Sequence, residues 1–104
     1  MKLRSLTRTE ARDLLVELGR MADLPPGAAP KSLSRAKEIR FQLQGQTWVR
    51  PYLAGKVDSA YRDLQVLLSA RRWRDISSIE ALRHEIKAAC ARAKAGLERR
   101  AGAV

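Results

Sequence analysis

Cysteine is nearly absent from this sequence, because Cys90 is the only one among 104 residues. A single thiol cannot form an intramolecular disulfide, and it cannot supply a cysteine-based metal cage. Cys90 falls on the apolar face of a predicted helix, where a buried and unreactive thiol is the usual state. The sequence therefore predicts neither a disulfide nor a metal site, and nothing in it indicates a cofactor.

Long apolar runs are also missing. No stretch approaches the roughly 20 apolar residues that a membrane-spanning helix needs. The N-terminal stretch MKLRSLTRTEARDLL is charged and has no apolar segment of the kind found in secretory signals. No predicted helix pairs a strongly hydrophobic face with bulky Trp or Phe anchors, as a surface-bound membrane helix does. We therefore expect a cytoplasmic protein without a membrane partner.

A catalytic set of residues is the third absence. The single histidine, His84, stands beside Arg83 on a polar helix face, with no Cys, Ser or paired carboxylate at a catalytic spacing. The sequence contains no phosphate-binding loop, dinucleotide fingerprint, nucleophile elbow or metal-ligand cluster. We expect His84 to be solvated and the protein not to be an enzyme.

Aromatic and β-branched residues are few, whereas Leu, Ala, Arg, Glu and Lys are abundant. This composition favours helices over sheets. A chain of this length forms one domain with a single modest core. We therefore predict an all-α fold, a compact bundle of about four helices in one domain that spans residues 1–104.

Apolar residues recur every three or four positions, which is the spacing of an amphipathic helix. The strongest stripe runs from Leu53 to Leu68 and predicts the central core helix. Capping boxes at Thr7–Glu10 and Ser77–Glu80 indicate where two helices begin. We predict helices at about residues 7–22, 32–44, 47–70 and 77–100, with a Pro-rich linker at 23–31.

The charge balance is strongly basic. Lys and Arg total 21 against 11 Asp and Glu, which gives a formal net charge of +10. Such an excess opposes compaction and favours a polyanionic partner, although a basic protein without such a partner remains the alternative. Arginine outnumbers lysine by 15 to 6. Because arginine forks onto phosphates and stacks on bases, its excess favours nucleic acid as that partner.

The candidate binding residues are basic side chains with few acids beside them. Arg8 and Arg12 stand four residues apart on the first helix. Like charges at that spacing repel by a few tenths of a kcal/mol, and an external anion would relieve the repulsion. The densest basic run is Arg71-Arg72-Trp73-Arg74, whose indole is suited to stack on a base or sugar. Further candidates lie on the other predicted helices: Lys37, Arg40, Arg50, Arg83, Lys87 and Lys94.

These candidates also have structural interpretations. Exposed arginines are often simply solvated, and a basic run at a helix C-terminus is favoured by the macrodipole. An aromatic ring beside cations either stacks on a base or packs against a neighbouring helix. The sequence leaves that choice open for Phe41, Trp48 and Trp73.

Two short segments resemble a known family. The stretch Leu6–Arg12, LTRTEAR, looks like the LTxSQxR start of the small subunit of type III-A CRISPR effector complexes. The stretch Val49–Lys56, VRPYLAGK, is similar to that family's LxPxLAYxxGR segment, although the tyrosine is displaced. The family's C-terminal EAxxAYH signature is present only in part, at Glu80-Ala81, because Cys90 and neighbouring alanines replace its aromatic and histidine.

The resemblance implies a non-catalytic, all-helical subunit that stacks along a guide RNA and its target and holds the backbone without reading sequence. It makes Arg12, Arg50 and Lys56 candidate RNA contacts. Two hypotheses remain at this point. One is a nucleic-acid-binding subunit of a larger ribonucleoprotein, which would contact other subunits or further copies of itself. The other is a helical adaptor or oligomeric scaffold that binds an acidic protein.

Overall fold

The computed structural model describes residues 2–24, 30–69 and 76–102. Within these ranges the secondary structure is entirely helical, so the prediction of an all-α, four-helix bundle is confirmed. A 3₁₀ turn at Met21–Asp23 extends the first helix. The four helices are α1 at Arg8–Arg20, α2 at Pro30–Gln44, α3 at Pro51–Ser69 and α4 at Ile76–Gly102.

Neighbouring helices are antiparallel. The Gln44 amide of α2 donates to the Ala54 carbonyl of α3. One turn earlier in α2, Arg40 approaches Asp58, which lies one turn later in α3. The two helices therefore run in opposite directions. Helix α4 runs back along α3, and a β-carbon placed on Gly96 would stand 3.8 Å from the Tyr52 ring. Helices α1 and α3 therefore begin at the same end of the bundle, where α2 and α4 finish. We call this the Trp48 end, after the tryptophan between α2 and α3.

The core is built from apolar stripes that the sequence predicts. Helix α3 lies at its centre, as expected, and has the most extensive contact with α4. Leu64 and Leu67 of α3, Leu18 of α1 and Ile39 of α2 are completely buried, as is Ile86 of α4. The other α3 core residues are Leu53, Val57, Ala60, Tyr61 and Leu68.

The predicted start of the third helix, at residue 47, is wrong. Helix α3 begins at Pro51, because the chain first makes a turn in which the Val49 amide donates to the Gln46 carbonyl. The residue before a proline is pushed away from helical geometry, which excludes Arg50 from the helix. Proline is well suited to the first helical position because its missing N–H has no partner there in any case.

The other helix bounds differ by small amounts. Helix α1 ends at Arg20, and the last predicted turn becomes the 3₁₀ turn. Helix α2 begins at Pro30, two residues before the predicted start, again with proline at the first position. Helix α4 begins at Ile76, one residue before the predicted cap, and continues to Gly102. The capping box at Thr7 and Glu10 is confirmed, since both of its hydrogen bonds form.

Two buried glutamines of α2 and the turn after it hold the N-terminal segment against the bundle. The Gln42 amide accepts from the Arg4 N–H at 2.8 Å and donates to the Lys2 carbonyl at 2.6 Å. Gln46 accepts from the Leu6 N–H at 3.1 Å and donates to the Arg4 carbonyl at 2.6 Å. The glutamines thus bond alternate residues of an extended chain, as a neighbouring strand would. We call residues 2–6 the N-terminal strap.

Candidate nucleic-acid interface

Five stretches of the sequence each carry three cations and no aspartate or glutamate: residues 2–9, 24–37, 39–57, 64–74 and 86–97. Three of these acid-free segments come near one end of the antiparallel bundle. The first of the three, residues 2–9, leads into α1, and the second, residues 39–57, spans the end of α2 and the start of α3. The third, residues 86–97, forms the middle of α4 and approaches that end at Gly96.

Direct contacts bring the acid-free segments together at the Trp48 end. The Arg8 guanidinium carbon lies 5.7 Å from the centroid of the Trp48 ring, which joins the first segment to the second. Gln46 holds the strap, and the Tyr52 ring rests against Gly96 of the third segment. Cations of the first two segments, Arg8, Arg50 and Lys56, therefore lie at the Trp48 end, and the third segment reaches it at Gly96.

Helix macrodipoles do not set the potential at this end. Helices α1 and α3 begin there and bring partial positive charge, whereas α2 and α4 end there and bring partial negative charge. These contributions largely cancel. The positive potential at the Trp48 end therefore comes from side chains, and substitution can remove it.

Acidic side chains elsewhere in the bundle form ion pairs with particular cations. Arg35 forms a bidentate pair with Glu17 and a further pair with Glu38 at 3.3 Å. The Arg35 guanidinium holds the pKa of the Glu17 carboxyl below its usual value. Asp58 pairs with Arg62 at 3.0 Å and lies 3.7 Å from Arg40. The excess positive charge is thereby concentrated away from these pairs.

Acids also occur near this end, since Glu98 follows Gly96 by two residues on α4 and two further acids lie on the first turns of α1. Glu10 accepts from the Thr7 N–H at 3.0 Å, and this backbone hydrogen bond lowers the pKa of its carboxyl. Asp13 is exposed one turn further along α1. Each of these acids lies outside the acid-free segments.

Two predicted contacts, Arg50 and Lys56, lie at the Trp48 end. Arg50 is exposed in the turn before α3, and the Lys56 ammonium lies 5.5 Å from the centroid of Tyr52. Among the described side chains, neither cation has a carboxylate within ion-pairing distance. Tyr52 keeps 54% of its surface exposed. Arg50, the Tyr52 ring and Lys56 thus follow one another around the start of α3.

A groove between α1 and α4 is lined by Val16 from α1 and by Lys87 and Lys94 from α4. Arg8, Arg12 and Val16 follow at four-residue spacing, so they share one face of α1. Two of the cations predicted on the fourth helix therefore line the groove itself. Arg8 and Arg12 lie on the same face of α1 but outside the groove lining.

Cys90 forms part of the floor of this groove. Helices α1 and α4 are close together here, since a β-carbon placed on Gly19 would be in van der Waals contact with the Cys90 β-carbon at 3.6 Å. Burial raises the pKa of the Cys90 thiol to about 11. The expectation of a buried, unreactive thiol agrees with this environment.

Several other candidate residues are engaged in internal contacts. Arg83 donates to the carbonyls of Ala22 and Leu24, at 2.9 and 3.2 Å, and so binds the chain that leaves α1. Lys87 pairs with Asp23 at 2.6 Å. These contacts give both residues a structural role at the end of the bundle opposite Trp48.

Two candidates on α2 lie beside the main cluster. The Arg40 guanidinium lies 4.7 Å from the centroid of Tyr61 and donates to Gln44, so it bridges α2 and α3. Lys37 is exposed two turns before the end of α2. The run Arg71, Arg72, Trp73 and Arg74 lies outside the described residues, so its role stays a prediction.

The structure resolves the position of two aromatic residues that the sequence left undecided. Phe41 is exposed, with 41% of its surface accessible, and it does not pack into the core. Trp48 is half-buried and packs against the core while its ring contacts Arg8. Trp73 lies outside the described residues.

Gln42 and Gln46 are the residues that sequence reasoning missed. Their spacing holds the signal, because they follow Ile39 by three and seven residues, which continues the buried face of α2 into the turn that holds Gln46. A polar amide at an apolar position needs a hydrogen-bonding partner. The partner is the strap, which is remote in sequence.

A second polar groove lies between α3 and α4. Asp63 and Glu85 face each other there, with Lys56, His84 and Arg92 nearby. Burial raises the pKa of the Asp63 carboxyl, and the negative charge of Glu85 raises it further. In the described ranges, no three His, Cys, Asp or Glu residues are grouped to hold a metal ion. The helices found there are all too short or too polar to cross a bilayer.

No protein-family model, curated protein or solved structure matches this chain. The assignment of the site therefore rests on the residues of the chain itself.

Proposed function

We propose that this protein is a non-catalytic subunit that binds the nucleic-acid backbone, with RNA favoured, and works within a larger ribonucleoprotein. The observation that carries the proposal is the meeting at the Trp48 end of acid-free segments that bring Arg8, Arg50 and Lys56 there. Charges on separate segments of a folded chain repel one another. A phosphate backbone relieves that repulsion and releases its own counterions.

The composition of the Trp48 end favours phosphate as the ligand. Arg8 and Arg50 present guanidinium groups, which bind phosphate oxygens in pairs. Lys56 adds the point charge of an ammonium group near the start of α3. Exposed cations of this kind supply affinity that falls steeply with salt, because each phosphate contact releases condensed counterions.

The amide side chains at this end are not free to read base sequence. Amides fork onto adenine, whereas arginine forks onto guanine or onto phosphate. The three glutamines nearby, Gln42, Gln44 and Gln46, all donate to backbone carbonyls of the protein. The groups left for a ligand are cations and aromatic rings, whose contacts to phosphates and base faces carry no sequence information.

The resemblance noted in the sequence gives one assembly in which such a subunit would act, a type III-A CRISPR effector complex. Its candidate RNA contacts are compatible with the Trp48 end. Arg50 and Lys56 lie there, and Arg12 follows Arg8 by one turn of α1. Such a subunit would hold RNA alongside other protein subunits or further copies of itself.

An adaptor or scaffold that binds an acidic protein is the second candidate function. The exposed apolar side chains Leu3 and Phe41 favour it, with 45% and 41% of their surfaces accessible. Both lie beside the strap, next to Gly45. A complex of this kind would survive nuclease treatment, whereas a nucleic-acid-bridged complex would dissociate.

Two variants with equal charge changes test the proposal. Each replaces three exposed or half-buried cations with glutamine, so each removes three positive charges. The end variant changes Arg8, Arg50 and Lys56. The control variant changes cations away from the Trp48 end, namely Arg20, Lys31 and Arg62.

The affinity of each variant for unrelated RNA sequences is measured between about 50 and 200 mM salt. The end variant should bind more weakly than the control by a similar factor for every sequence. Its slope of log affinity against log salt should fall by about 2, which is 0.7 for each of three lost contacts to a single strand. Equal losses in the two variants would contradict a localised site. No binding by the unmodified protein would reject the proposed function.

A further inference from the structure

We infer that the Trp48 end takes single-stranded nucleic acid, with unpaired bases stacked on Tyr52 and Trp48. This inference rests on the proposed function and goes beyond it, because backbone binding alone needs only cations and accepts duplexes and single strands alike. The expected ligands are therefore strands whose bases are unpaired.

The aromatic residues are concentrated where acids are absent. The chain has five aromatics, and four of them lie in the described residues. Three of those four, Phe41, Trp48 and Tyr52, fall in the acid-free segment 39–57. The fourth, Tyr61, is buried in the core. Three of the four described rings therefore fall in one acid-free segment, where each is exposed or half-buried.

Tyr52 has the geometry of a stacking platform. Its ring edge rests against α4 with no side chain between, since a β-carbon placed on Gly96 would stand 3.8 Å from Cε1 and 3.9 Å from Cδ1. Lys56 lies on the ring from the next turn of α3. The ring is therefore held in place by its neighbours while 54% of the residue is exposed.

Trp48 supplies a second ring that already contacts a planar cation. The residue packs partly against the core, which fixes its position, and Arg8 lies over the ring. A guanidinium group stacks on a base in the same way as it stacks on an indole. A base can therefore join Arg8 and Trp48 at this position, with its phosphate close to Arg50.

The rings discriminate against duplexes because paired bases are already stacked on one another. An unpaired base that stacks on an aromatic side chain gains about 5- to 150-fold in affinity, whereas a duplex offers this surface only its phosphates. Because every base has a stacking face, this gain adds no sequence preference.

The test compares strands of equal charge. Binding is measured for a short oligothymidylate, for an abasic strand with the same number of phosphates, and for a duplex of half the length, which carries about as many phosphates. We expect the oligothymidylate to bind at least 5-fold more tightly than the abasic strand or the duplex. Tyr52→Ala should reduce this difference, since Trp48 still offers a ring, and Tyr52→Phe should retain it. Thermal melting of each variant, followed by circular dichroism, verifies that it is folded.

The outcomes separate the two proposals. Equal, salt-dependent binding of the oligothymidylate and the abasic strand would overturn the stacking inference and leave backbone binding in place. Absence of binding to any strand would overturn both. Binding to vesicles with anionic headgroups but to no oligonucleotide would also overturn both, since cations beside exposed rings would then serve a lipid surface.

A fluorescence titration gives an independent readout at Trp48. Trp73→Phe leaves Trp48 as the only indole in the chain. We expect the emission of this variant to change on addition of oligothymidylate and to stay unchanged with the abasic strand. A change of the same size with both strands would contradict stacking at Trp48.

Discussion

Arg8 lies over the ring of Trp48, although the two residues are forty positions apart in the chain. The contact brings the start of α1 to the turn between α2 and α3, and it is one of the links that assemble the acid-free segments into a single end. A cation and a ring at an exposed site attract by about 0.5–1 kcal/mol. The pair therefore contributes to the fold while remaining open to an anion.

The first prediction concerns Gly55 on α3. A β-carbon placed on this exposed glycine would meet nothing within 4 Å. A glycine inside a helix can mark a kink or a tight helix crossing, but the open space around Gly55 requires neither. Gly55→Ala should raise the free energy of unfolding by up to about 1 kcal/mol, because alanine has less chain entropy to lose in a helix. Urea unfolding measures this.

Gly45→Ala serves as the contrasting variant. A β-carbon at this position would stand 2.5 Å from Leu3 Cδ1 and 3.1 Å from the Phe41 carbonyl oxygen. The exposed Leu3 side chain must turn aside to admit the β-carbon, so Gly45→Ala should stabilise the protein less than Gly55→Ala. A larger gain at Gly45 than at Gly55, or a destabilising effect at Gly55, would show that the local packing differs from that described.

The second prediction concerns the strap. Gln46→Leu removes the acceptor of the Leu6 N–H and leaves the Arg4 carbonyl without its donor. A buried polar group without its partner costs about 1–3 kcal/mol. Hydrogen exchange should therefore accelerate at the Leu6 amide before it accelerates at amides inside α3.

Gln44→Leu is the matched control for the strap. Gln44 is exposed, and its amide bonds the Ala54 carbonyl and not the strap. Exchange at Leu6 should be unchanged in this variant. Faster exchange at Leu6 in both variants would mean that the strap depends on the general stability of α2 and not on Gln46.

The third prediction concerns pH and the carboxyl pair between α3 and α4. The pKa of Asp63 is raised, first by burial and then by Glu85, so its ionised form is less stable in the folded chain than in the unfolded one. The penalty is present at neutral pH. It disappears as the pH falls through the raised pKa towards the unfolded value of 3.8.

Asp63→Asn should accordingly stabilise the protein at pH 7, by up to about 1 kcal/mol as for other partly exposed charge pairs. The gain should shrink as the pH is lowered towards 3.8. Asp13→Asn makes the same change in net charge at an exposed position and is the control. Thermal melting across this pH range provides the measurement. A gain that grows on acidification would contradict the direction of the pKa shift.

The fold was largely predictable because it depends on local periodicity. The stripe from Leu53 to Leu68 predicts α3 as the core helix, and burial confirms it. The start of α3 was mispredicted because the turn after Gln46 and the restriction before Pro51 outweighed the pattern of apolar residues. Such turns follow from backbone chemistry more than from periodicity.

The candidate site was less predictable, because it is formed by residues that are distant in sequence. The cations themselves follow from composition. Their convergence does not, since it needs the antiparallel order of the helices. Arg83 is a predicted contact that instead has an internal role. No local pattern in the sequence indicates that its guanidinium binds the carbonyls of Ala22 and Leu24.

The most direct test of the central claim is an NMR titration of the labelled protein with a short single-stranded oligonucleotide at about 50 mM salt, where electrostatic binding is strong. The account predicts that amide shifts change mainly in residues 2–9, in the turn and first turns of α3 at 46–57, and in the later half of α4. Changes confined to the opposite end, around Arg20, Lys31 and Arg83, or no changes at all, would contradict it.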